Sequence, residues 1–217
     1  MSEARGWQEI KDIATEYGAQ RFMILSMLMR MQTATVVRVE AVSNSGNVAA
    51  PGTVDVRPLV QTTQADGTSI SHEIIYGVPY SRIQGGTNAV ILDPQVGDVG
   101  VAVFCSRDIS GVKSKPSSPH GGPAPSARAY DWSDAIYLGA VMWGVPENYV
   151  RFPADGSIEL VSPVKVRLAA PEIELDGPVT ATSTIDAAGD VTGDGTSLHT
   201  HKHGGVTTGG GQTGTPV

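Results

Sequence analysis

Three of the five histidines in this 217-residue chain fall within five positions, His199, His201 and His203, and they stand directly before Gly204-Gly205. Imidazole is a good ligand for Fe, Zn, Ni and Cu. In a strand, a spacing of two puts all three side chains on one face, with Thr200 and Lys202 on the other. Successive same-face residues stand about 7 Å apart along one strand, so a single chain makes a poor metal site. Three chains about a common axis do better, because two inward histidines from each give six imidazoles in two layers. Six-coordination disfavours structural zinc, which is tetrahedral, and leaves iron as the first choice. The alternative is a solvated His-rich tail with incidental metal affinity.

Other candidate chemistry in the sequence is weaker. His72 lies between Ser71 and Glu73, but adjacent residues in a strand face opposite sides and do not assemble a hydrolase triad. His120 sits in a loop. Cys105, the single cysteine, ends the apolar run from Val101 and reads as a small buried hydrophobe. With no second cysteine, no disulfide forms within one chain, which fits assembly in a reducing cytosol. Gly189-Asp190 and Gly193-Asp194-Gly195 lack the ligand spacing of a calcium loop and read as turns. Gly85-Gly86 lacks the spacing of a dinucleotide-binding loop. A catalytic metal calls for an added carboxylate or an open coordination position in a pocket, and a tail of Gly and Thr offers no pocket. The chain therefore reads as a non-enzyme.

The elements that must carry the histidines follow from hydropathy. From Gly6 to about Met31, Ile10, Ile13, Ala14 and Tyr17 recur at helical spacing, and Phe22 to Met31 is apolar almost all round. Such a helix needs cover on more than one side, from its own domain, from sister chains or from a neighbouring protein. From Thr33 to about Trp143 the period changes to two. Thr35–Val42, Thr53–Val60, Glu73–Val78, Val99–Cys105 and Ala135–Val141 are expected strands, and five short strands suit a small barrel such as an OB-fold. The Ser-, Pro- and Gly-rich stretch from Ser110 to Arg128 is expected to be a long, mobile polar loop.

After Pro146, Ile158 and Leu160, then Val164, Val166 and Leu168, then Ile173 and Leu175 alternate with charged residues, and Pro and Gly divide the runs. No aromatic residue follows Phe152, so this segment has too few apolar side chains to bury a core alone. Three chains wound together would turn each apolar stripe to a shared axis, giving a trimeric β-helix or β-prism. A β-rich extension folded back on the barrel is the rival. Toward Ala187 and Ala188 the inward residues shrink, which predicts a taper. The architecture expected is thus mainly β: an N-terminal helix over 1–32, a barrel over 33–145, an intertwined triple-stranded shaft over 146–196 and a metal-binding pointed tip over 197–217.

Charge and composition exclude other classes. Only 17% of residues are charged and the formal net charge is −7. An acidic balance argues against tracking phosphates, and so against nucleic-acid binding, and gives no attraction to anionic lipid. No signal peptide is evident, and the apolar run from Phe22 to Met31 is too short to span a bilayer.

Two stretches resemble a known family. Asp93-Pro-Gln-Val-Gly-Asp-Val-Gly-Val-Ala-Val-Phe104, Arg107-Asp108 and Ser133-Asp-Ala-Ile-Tyr-Leu-Gly139 resemble the N-terminal barrel of phage baseplate spike proteins. Ser197-Leu-His-Thr-His-Lys-His-Gly-Gly-Val206, with Gly-Gly-Gly-Gln-Thr-Gly-Thr-Pro216 after it, resembles the tip of the same proteins in P2-like and Mu-like myophages. The resemblance implies a homotrimer with an OB-fold collar, a triple-stranded β-helix and an apex holding one iron on the three-fold axis. It places the His-x-His pair on His201 and His203; His199 is an addition to the family pattern. It implies assembly in the host cytoplasm, a place at the baseplate tip of the virion, a hub protein as neighbour, and passage through the host outer membrane on sheath contraction. The spike of an R-type bacteriocin or of a secretion device has the same physics, and a His-dependent metalloenzyme is the distant alternative.

Overall fold

The computed structural model describes residues 14–202 except 45, 47, 65, 116–120 and 143, together with 205 and 209. The chain divides into two compact units, Met1–Pro146 and Glu147–Val217.

In the first unit, helix α1 spans Glu16–Leu28. Thr15, in extended conformation, caps it by accepting a hydrogen bond from the Gly18 N–H at 3.0 Å, and Glu16 lies in the first turn beside the positive end of the helix. The expected helix also included residues 6–13, of which all lie outside the described residues. No α1 residue is buried within the chain, and Met23, Ile24, Met27 and Leu28 are each more than half exposed. The Gln32 N–H donates to the Tyr130 carbonyl at 3.2 Å, which ties the segment after the helix to the rest of the unit.

The strands follow in chain order: β1 (Ala34–Val42), β2 (Thr53–Pro58), β3 (Thr62–Thr63), β4 (Ser69–Ile70), β5 (Ile75–Pro79), β6 (Ile83–Gly85), β7 (Asn88–Val90), β8 (Val99–Phe104) and β9 (Ala135–Met142). Five of them form one antiparallel sheet in the order β5-β2-β1-β8-β9, while β3-β4 and β6-β7 are separate hairpins. The sheet curls into a half-barrel, and its outer strands approach each other where Tyr80 makes a parallel bridge to Tyr137 and the Ser81 N–H donates to the Tyr137 carbonyl at 2.8 Å. The five expected strands are these five.

Period-two burial explains why the sheet forms. In β2 and β8 every second residue is buried, and in β1 Val37 and Val39 are completely so. Their partners in the core include Val54, Val56, Val78, Phe104 and Tyr137. Gly100 is required where Tyr137 crosses the sheet, because a Cβ there would run into the Tyr137 ring and the Gly139 carbonyl. Burial pushes the Tyr137 hydroxyl up to about 12.

The two ends of the polar loop are held together by a charge cluster. Asp134 is fully buried and Asp108 nearly so. The Arg128 guanidinium donates to both Asp134 oxygens, at 2.8 and 3.0 Å, and to Asp108 at 2.8 Å. Asp134 also accepts the Ile109 N–H, and Asp108 accepts the Ser110 N–H and hydroxyl and the Ser126 hydroxyl. A short helix, α2 (Ser110–Ser114), opens the loop there, and the Lys113 ammonium donates to the Ser133 carbonyl at 2.8 Å. Hydrogen bonds from Ser110 and Ser126 hold the Asp108 carboxyl at about 2, and the Arg128 hydrogen bond lowers Asp134 as well. Ordinary carboxyls titrate near 4. The contribution of Asp108 to stability is therefore fully present above that range and is lost as pH falls through about 2. Arg128→Ala leaves two buried carboxylates without their cation and is expected to lower the thermal midpoint of the unit clearly. Arg38→Ala removes a solvent-facing bridge to Glu40 and should barely move it. Equal shifts in circular-dichroism melts would contradict the assigned role of the cluster.

In the second unit, β10 (Tyr149–Arg151) and β11 (Glu159–Val161) form a hairpin, with the Arg151 guanidinium bidentate on Glu159 at 2.9 and 2.7 Å. From 162 to 191 the chain has neither helix nor strand, and a last hairpin pairs β12 (Thr192–Gly193) with β13 (Thr196–Ser197). Between Ile158 and Ile185 the large apolar side chains are 38–90% exposed.

Candidate functional site

The approach to the histidines is a tight turn followed by a capped one. Asp194 and Gly195 link β12 to β13 with φ of 49° and 76°, both in the left-handed region that a two-residue type I′ turn needs. The Gly-Asp-Gly sequence is thus a turn, as its spacing predicts. The Leu198 N–H donates back to the Val191 carbonyl at 2.8 Å and closes the hairpin.

Ser197 then ends the strand. Its hydroxyl oxygen accepts the N–H of His199 at 3.2 Å and of Thr200 at 2.9 Å, and its carbonyl accepts the N–H of His201 at 3.1 Å. A serine side chain bonded to the amides two and three residues on competes with a strand ladder and bends the chain. Asp190 adds a second acceptor for the His199 N–H, at 3.2 Å. His199 is therefore in a turn, and the same-face argument from strand spacing does not extend to it. The signal was present in the sequence as Ser197-x-x-Thr200, a pattern for a side-chain turn.

His201 is oriented by the same turn. Its Nδ1 lies 3.1 Å from the Ser197 carbonyl and 3.2 Å from the Leu198 carbonyl. Carbonyls only accept, so Nδ1 carries a proton in these contacts. An imidazole held by Nδ1–H on a backbone carbonyl is the usual arrangement of a metal-ligating histidine. The donor type thus suits the metal that the sequence implies. A single chain does not complete a site: among the described residues, no three His, Cys, Asp or Glu side chains gather where they could hold an ion. His203, the other residue of the expected pair, lies outside the described residues, as does His120.

His72 has a structural setting. Its Nε2 lies 3.3 Å from the Thr62 hydroxyl, and its ring packs 4.9 Å from Trp132. Cys105 is half-buried, and burial raises its thiol.

Ser197→Ala removes the acceptor for two amides and is expected to cost about 1 kcal/mol locally, hence roughly fivefold faster hydrogen exchange at His199 and Thr200. Unchanged exchange at both would show that the serine does not hold the turn.

Comparison with known proteins bears on this same stretch. No curated protein matches the chain. Residues 195–217 match the family model of the GpV apex motif, and the matched region contains all three clustered histidines and the Gly-rich end. The match covers 23 of the 217 residues and likens this stretch to the apex of a phage baseplate spike.

Proposed function

We propose that three copies of this chain form the central spike of a contractile tail baseplate, which punctures the host envelope when the sheath contracts. The observation that carries the three-chain reading is the exposure of the second unit's apolar residues. Val164 is 90% exposed and Leu168 65%, in a backbone with no strand partner from 162 to 191. Unpaired backbone groups and a row of solvated aliphatic side chains are both costly, and winding three chains together removes both costs at once. Closure about an axis also leaves no long free sheet edge for adventitious pairing.

The half-barrel is read as an OB-fold collar. Its strand order, with the third and fifth sheet strands meeting through the parallel Tyr80–Tyr137 bridge, supports that reading. Helix α1 would give its apolar surface to sister helices or to the baseplate hub protein.

At the tip, His201 and His203 of each chain would hold one iron per trimer. A metal supplies cross-linking there and no reaction is required of it: chain ends fray unless tied down, and site assembly and tip folding become one event. The role is mechanical, and the host outer membrane is met from outside by the finished fold. A bacteriocin or secretion-type spike would use the same parts.

The test is a paired alanine variant. His201→Ala with His203→Ala is expected to keep the oligomer seen for the unaltered protein, to lower iron from about one per three chains to none in elemental analysis, and to leave the apex open to proteolysis. Unchanged metal content would overturn the ligand assignment.

A further inference from the structure

We infer that residues 164–168 of one copy lie parallel to residues 171–175 of a second copy, seven residues out of step, with Lys165 and Arg167 facing Glu172 and Glu174. The inference rests on the three-chain reading above and specifies its register.

The sequence repeats its face pattern at this offset with the charge inverted. Lys165 matches Glu172, Val166 matches Ile173, Arg167 matches Glu174 and Leu168 matches Leu175. Four consecutive positions thus set base against acid on one face and aliphatic against aliphatic on the other. All eight residues are exposed in the single chain. Among the described residues, none of the four charged side chains has an ion-pair partner, whereas exposed Arg151 and Arg38 each find a carboxylate within 3.1 Å.

The two segments do not satisfy one another within one chain. Parallel neighbours joined in the same chain need a crossover of about a dozen residues or more. Only Ala169 and Ala170 separate these segments. An antiparallel hairpin would also bring Arg167 opposite Glu172 and Lys165 opposite Glu174, but its two-residue loop would be Ala169-Ala170. Such loops need positive φ at one or both residues, and neither alanine has it. No pairing between the segments is present. A second copy is the partner that meets every term: its strand starts independently, so no crossover is needed, and its acidic face complements the basic one. Charge alternation then fixes the stagger, because a slip by one residue would set charged residues against aliphatic ones. A direct, unstaggered match of like segments would set Lys165 against Lys165.

The register is tested by cross-linking. In a Cys105→Ser background, Lys165→Cys with Glu172→Cys places two thiols on neighbouring parallel strands about 4.8 Å apart, inside the range a disulfide spans. Mild copper-catalysed oxidation is expected to give species up to three times the 22.6 kDa chain mass on a non-reducing denaturing gel. The pair Lys165→Cys with Glu174→Cys, which the hairpin would join within one chain, is expected to keep both thiols open to alkylation, as counted by intact mass. Native mass of the unaltered protein is measured alongside. A three-chain native mass with no chain-to-chain cross-link from the 165/172 pair overturns the register alone. A single-chain native mass overturns the three-chain reading, and the register with it. As a second variant, reversing Glu172 and Glu174 to lysine should lower the thermal midpoint by about 5 °C or more, and adding Lys165→Glu and Arg167→Glu should restore it. A reversal without effect overturns the charge pairing.

Discussion

Every β-strand must find hydrogen-bond partners for its backbone and cover for one face. The two units of this chain meet that constraint in opposite ways. In the first, β1 lies between β2 and β8 and buries Val37 and Val39 completely, so the sheet is its own solution. In the second, the alternating segments between 162 and 191 have no strand pairing, and their aliphatic side chains stay in water. The proposed three-chain shaft follows from that deficit. So does the proposed metal: where inward residues shrink to Ala187 and Ala188 and then to glycine, aliphatic burial no longer suffices to hold three chain ends together.

Period-two alternation made the half-barrel legible in the sequence. Val54 and Val56, Gly100 and Ala102 alternate with residues that face outward, and such a pattern survives reading without any structure. What escaped was the charge cluster on the loop. Arg128 reaches Asp108 across twenty residues, and no local pattern shows which of several aspartates will be buried with it. A buried ion network depends on long-range placement, which hydropathy does not encode.

The tip shows the reverse case. The residue types were legible and the local geometry was not. Histidines at spacing two suggest one face of a strand, but Ser197 captures the next amides and turns the chain, which takes His199 out of that face. The same turn gives His201 something that spacing alone does not: a carbonyl partner for Nδ1. The side-chain turn and the histidine orientation are one feature, and the match to the apex motif covers both.

The central claim, that the second unit is completed by copies of itself, is tested most directly by the mass of the untagged protein in solution. Sedimentation equilibrium at micromolar concentration is expected to return three times the 22.6 kDa chain mass. A mass of one chain across that range would contradict the shared core and with it the metal apex.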